Sequence, residues 1–169
     1  EIKELDKVDS VLVKKRLEYL GLVYFQDPQR IDLLDYGNQT LKLSKKIGYK
    51  KGEILSYQRI GLAYQYFIED QIKALEAYHK SLSIIDKHPK LNYYSPGALC
   101  NIGIIYMNKG DNDKALSTFK KIYKKFPQSP VIPEQYLAIV FANLKQADSA
   151  IYYSKKTLER EKLQKNDVL

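Results

Sequence analysis

Cys100 is the single cysteine of the chain, and His79 and His88 are its two histidines. A thiol nucleophile needs a base and an orienting group within reach, so Cys100 with His79 is the pairing to weigh for nucleophilic chemistry. Cys100 lies in an apolar helical stretch three residues before Gly103, where a thiol behaves as a small buried hydrophobe rather than a thiolate. One cysteine cannot form an internal disulfide, so cysteine usage reports no redox compartment. Cys/Cys and His/His ligand spacings are absent, which predicts no metal site. Asp111 and Asp113 are paired carboxylates, but they stand where a helix begins and favour its N-terminus. No glycine-rich phosphate loop follows a strand pattern. These residues predict neither an enzyme, nor a bound metal, nor a cofactor.

Lysine is the other candidate chemistry. Lys120-Lys121 and Lys124-Lys125 repeat at i, i+4, and Lys155-Lys156 follow later. With 28 Lys and Arg against 20 Asp and Glu the net charge is +8, which suits acidic partners, nucleic acid or an anionic surface. Phe119, Ile122, Tyr123 and Phe126 occupy the other side of the same helix, and no stacking aromatics interleave with the lysines. They read as a solvated outer face, and nucleic acid is not the expected partner. The longest apolar run, Leu137-Ala138-Ile139-Val140-Phe141-Ala142, falls far short of the ~18 residues of a membrane span, so no membrane insertion is expected within this chain. Glu1-Ile2-Lys3-Glu4 lacks the apolar core of a leader, and the sequence points to neither cytoplasm nor periplasm.

The elements that carry these residues repeat. Around Gly103 stand Leu99 at −4, Tyr106 at +3, Gly110 at +7, Ala115 at +12, Phe119 at +16 and Pro127 at +24. Small Gly103 and Ala115 let two antiparallel helices approach, and the larger residues fill the space around the crossing. Gly110 ends the first helix in a left-handed conformation, Asp111 starts the second, and Pro127 stops it. The frame recurs at Gly61, with Tyr57, Tyr64, Ala74 and Tyr78 and one extra residue in the turn near Ile68-Glu69-Asp70. It recurs at Gly21 with Leu17 and Tyr24, where Leu33 and Gly37 replace the small residue and the aromatic. It recurs at Ala138, with Phe141 and Ala150, where Glu134 and Ser154 fall at apolar places. Leu75, Tyr78, Leu82 and Ile85 step at helical spacing, in independent agreement.

This pattern resembles the tetratricopeptide repeat, and its longer linkers are similar to those of bacterial sensor and regulator proteins. The resemblance implies an all-α fold, a right-handed α-solenoid of about four antiparallel helix pairs, as one domain over 1–169. The repeats are expected at about 10–47, 52–87, 95–127 and 130–163, the first and last degenerate. It further implies that the face of each first helix not used in packing lines a concave ligand groove. Offsets −2, +1 and +5 place Tyr19, Leu22 and Gln26 there, then Arg59, Leu62 and Tyr66, then Asn101, Ile104 and Asn108, then Tyr136, Ile139 and Asn143. Amides and phenols can pair with a peptide backbone, and the aliphatic row supplies an apolar floor. The expected function is therefore a protein- or peptide-binding scaffold, with a regulatory region of a larger signalling protein as the alternative. Arg59 favours an acidic ligand side chain. The co-chaperone subfamily's carboxylate clamp is not matched: its places hold Glu18, Leu22, Arg59, Gly97 and Asn101. The charged C-terminal run from Lys155 to Lys165 is expected to be a solvated capping helix, with self-association through terminal helices as a further expectation.

Overall fold

The structure, a computed structural model, describes residues 11, 12, 15 and 33–166, the last three of these by backbone alone. Among the described residues there are seven α-helices, a 3-10 segment and no strand. The helices are α1 (Leu33–Lys46), α2 (Lys50–Tyr66), α3 (Gln71–Lys87), α4 (Ser95–Asn108), α5 (Asn112–Lys125), α6 (Pro133–Asn143) and α7 (Ala147–Asn166). The 3-10 segment, Pro89–Tyr94, lies between α3 and α4. The chain divides into two compact units, Glu1–Tyr94 and Ser95–Leu169. Gly21 and Tyr24 lie outside the described residues.

In the first unit α2 packs on both α1 and α3. The buried face of α1 is made of Leu33, Gly37, Thr40 and Ser44, with no large aromatic. It packs by close approach instead: a Cβ on Gly37 would come within 2.9 Å of Ile60 Cγ1, and one on Gly52 would collide with the Ser44 side chain. Thr40 and Ser44 satisfy their buried hydroxyls by donating to the carbonyls of Tyr36 and Thr40, each at 2.8 Å. On the other side of α2, the fully buried ring of Tyr78 lies over Gly61. Its phenol donates to Gln65 Oε1 at 2.8 Å, the partner that a buried hydroxyl requires. Gln58 Nε2 donates to Ser81 Oγ at 3.2 Å and to the Tyr94 carbonyl at 3.0 Å, tying the 3-10 segment back onto α2 and α3.

The second unit holds two helix pairs, α4 with α5 and α6 with α7. Its core is Ala98, Leu99, Ile102 and Ile105 from α4, Ala115, Phe119 and Ile122 from α5, and Leu137, Val140 and Phe141 from α6. The close approach expected at Gly103 exists, and a ring fills it: a Cβ there would stand 2.6 Å from Phe119 Cε1. Tyr64 and Tyr106 stay half-buried at their turns, each with a lysine ammonium near the ring: Lys73 at 5.5 Å and Lys114 at 5.4 Å from the centroid.

One turn chemistry joins the helices of each pair. Gly110 has φ +75°, as its type predicts, while the same left-handed place is held by Glu69 at φ 59° and Lys145 at φ 58°. The next backbone N–H reaches back over the helix end, from Asp111 to Tyr106 O and from Gln146 to Phe141 O, both at 2.9 Å. In the first unit Asp70 reaches Tyr64 O at 2.9 Å, one residue further, which accommodates the extra turn residue. Asp70 and Asp111 then cap α3 and α5 through the N–H groups of Lys73 at 3.0 Å and Lys114 at 3.3 Å. Both carboxyls are held below the usual value, Asp70 chiefly by that backbone N–H and Asp111 chiefly by the Lys114 ammonium.

Candidate protein-binding face

Helices α4 and α6 are neighbours in the second unit, and each buries one side deeply and leaves the other partly accessible. On α4, Asn101 and Ile104 are half-buried and Asn108 is exposed. On α6, Tyr136 is half-buried, Ile139 is 46% exposed and Asn143 is exposed, while Leu137 and Val140 on the opposite side are fully buried. Helical geometry makes this split: residues at i, i+3 and i+7 share a face, about 100° per residue. The uncovered face thus presents amides beside an aliphatic side chain. In the first unit the corresponding residues lie on α2, where Arg59 is half-buried and Tyr66 exposed. Tyr19, Leu22 and Gln26 lie outside the described residues.

Two of the expected ligand contacts have structural work instead. Leu62 is only 8% exposed, so at this place the aliphatic row belongs to the core and offers a ligand no floor. Tyr136 stacks on Phe119, with centroids 4.9 Å apart and planes 10° from parallel. It thereby clamps α6 against α5, close to the Cys100 thiol. Burial pushes that thiol up to about 11, with neighbouring Tyr136 acting in the opposite direction. Cys100 is accordingly a protonated, buried thiol at neutral pH, without the thiolate a nucleophile needs. Among the described residues no three His, Cys, Asp or Glu side chains gather as metal ligands, and no helix is long and apolar enough to cross a membrane.

The strongest polar cluster of the second unit is not one that the repeat pattern predicts. Arg160 of α7 donates from Nη1 to Glu134 Oε1 at 2.8 Å, and from Nη2 to the carbonyls of Pro127 at 2.8 Å and Ser129 at 2.7 Å. The two side chains are 15% and 5% exposed. The charged C-terminal run is therefore not wholly solvated: one guanidinium within it ties α7 to the start of α6 and to the α5–α6 loop. The available sequence signal is Glu134 itself, an acid where the repeat expects an apolar residue, since a buried carboxylate requires a paired cation. Beside it Tyr153 stacks on Phe141 at 5.4 Å and meets Tyr123 edge-on at 5.9 Å.

Comparison with known proteins agrees with this architecture. Residues 98–129, the pair around Gly103, match the family model described as the tetratricopeptide repeat. The crystal structure of MamA superposes with a TM-score of 0.56 at 21% identity, covering 89% of both chains, which shows a shared all-α helical-solenoid fold. The photosystem I assembly protein Ycf3 of Prochlorococcus marinus (strain NATL1A) is 40% identical over 85 residues, 50% of this chain and 46% of that protein. Ycf3 of a second Prochlorococcus marinus strain (SARG) is 34% identical over 117 residues, 64% of each chain. The chain thus spans between about half and two thirds of the curated relatives it matches. Residues 98–129 thus carry the tetratricopeptide-repeat signature, and the helix pairs of the chain are similar to those of tetratricopeptide-repeat proteins.

Proposed function

We propose that the chain is a protein-interaction scaffold whose second unit grips an extended segment of a partner on the outward face of α4 and α6. One observation carries the reading. Ile139 is a large aliphatic side chain left 46% exposed on a helix whose other side is fully buried, with exposed Asn143 one turn along the same helix and Asn101 and Asn108 at the corresponding places of neighbouring α4. None of these three amides is engaged by a side-chain hydrogen bond among the described residues, so their donors and acceptors remain for a peptide backbone. An apolar contact framed by unengaged amides is the composition of a binding patch rather than of a solvated helix. Tyr136, held in place by Phe119, supports the face from beneath. In the first unit, taken by itself, Arg59 and Tyr66 hold the corresponding places on α2. The relatives named as photosystem I assembly proteins favour an assembly role, in which the scaffold holds a segment of an incoming subunit.

A photo-crosslinking amino acid placed at Ile139, and separately at Asn143, tests the proposal in cells. Both positions are expected to yield the same crosslinked protein, with the same crosslinker at exposed Ile151 on α7 yielding none of it. Crosslinks confined to Ile151 would place the partner on the wrong side of the unit for this reading.

A further inference from the structure

A second surface of the second unit is built from different chemistry. Helix α5 carries Lys114, Lys120, Lys121, Lys124 and Lys125 against the single acid Asp113. Lys114 is paired with Asp111 at 2.7 Å. Lys120, Lys121, Lys124 and Lys125 are exposed, and no ion pair among the described residues involves them. Four uncompensated ammonium groups within two turns repel one another.

Tyr123 lies between the two lysine pairs in sequence, and packing brings further aromatic rings to them. Lys120 Nζ stands 5.3 Å from the centroid of Phe141. Tyr123 meets Tyr153 of α7 edge-on at 5.9 Å, Tyr153 in turn meets Tyr152 edge-on at 5.1 Å, and Tyr152 is 51% exposed with Lys156 Nζ 5.9 Å from its ring. Lys156 is close enough to Tyr123 for each to perturb the other electrostatically. The basic strip of α5 thus continues across a tyrosine pair onto α7. Lys156 has a carboxylate neighbour, Glu159 at 2.8 Å, but both are well exposed, and such pairs contribute little and exchange readily.

We infer that this α5–α7 face docks an acidic segment of a partner protein, separately from the α4–α6 face. Charge complementarity selects the acid. Lys120 and Lys124 are four residues apart, a rise of about 6 Å along the helix. Alternate residues of an extended strand are separated by about 6.7 Å, so an extended segment with acids at alternate positions matches the strip. Tyr152 then covers the alkyl part of that segment. A single-stranded nucleic acid fits less well, because it needs successive open aromatic platforms, and Tyr123 and Tyr153 are half-buried and occupied by each other.

The test uses the full chain and fluorescein-labelled poly-L-glutamate, followed by anisotropy at about 50 mM salt. The variants are Lys120→Glu/Lys124→Glu and, as a control with the same loss of net charge, Lys87→Glu/Lys90→Glu on the exposed end of the first unit. Oligothymidylate and phosphatidylserine vesicles are the competing probes. Expected is binding of polyglutamate that weakens about tenfold or more in the α5 variant and clearly less in the control. Absence of binding, or equal weakening by both variants, overturns the inference. So does tighter binding of oligothymidylate or of vesicles through the same lysines. Lys120→Gln/Lys124→Gln, checked for helicity by circular dichroism, serves if charge reversal disturbs folding, and must weaken binding in the same direction.

Discussion

Gly103 and Phe119 show how a repeat signature becomes packing. The fully buried ring occupies the space that a Cβ at Gly103 would need, 2.6 Å from Cε1 and 2.7 Å from Cζ. Tyr136 stacks on that ring, so the ring has little room to retreat. Two effects compete when Gly103 becomes alanine. Helix propensity favours alanine by about 1 kcal/mol, while forcing a methyl into a filled core costs about 1–3 kcal/mol. With the ring trapped, the steric cost should win: Gly103→Ala is expected to lower the stability of the full chain in urea by about 1–2 kcal/mol. Phe119→Leu in the same background should recover part of the loss, because it vacates the ring edge. A stabilised Gly103→Ala protein would mean that Phe119 moves freely and that the glycine is not needed for space.

At the scale of elements, the legible features are those written by spacing. The all-α class, the helix end at Gly110 and start at Asp111, and the pairing of Gly61 with Tyr78 and Gly103 with Phe119 all follow from offsets along the chain. The left-handed turns at Glu69 and Lys145 are not legible, because no residue type there announces a positive φ. The small polar face of α1 is legible only as a departure from the pattern, since Thr40 and Ser44 hide their hydroxyls in their own helix. The Arg160 clamp is hidden for a different reason: its partners lie 26, 31 and 33 residues away, and a charged run looks solvated until the fold buries one of its members. Removing one member of a buried pair strands the other, so Arg160→Ala should destabilise the full chain by about 3 kcal/mol. Urea unfolding with hydrogen exchange should show the loss in α6, α7 and the loop at Pro127–Ser129. A change of only a few tenths would show that Glu134 and the two carbonyls are satisfied without the guanidinium.

For the whole molecule, the division of labour among surfaces matters more than net charge. The α4–α6 face offers amides and one exposed isoleucine, and the α5–α7 face offers lysines around tyrosine. Only the second should weaken steeply with salt. Leu62 and Tyr136 show why the candidate face is only half-legible in sequence: offsets assign a side of the helix, but only packing shows which side chains on that side are already covered. The central claim is that α4 and α6 bind a partner segment through their uncovered side. A random peptide library panned against the full chain at about 0.3 M salt, where exposed charge is screened within a few ångströms, gives ligands whose affinities can be compared among variants. Ile139→Ala/Asn143→Ala should weaken the selected peptides about tenfold or more, with Lys120→Glu/Lys124→Glu near wild type. Unchanged affinity in the first variant together with loss in the second would contradict the account.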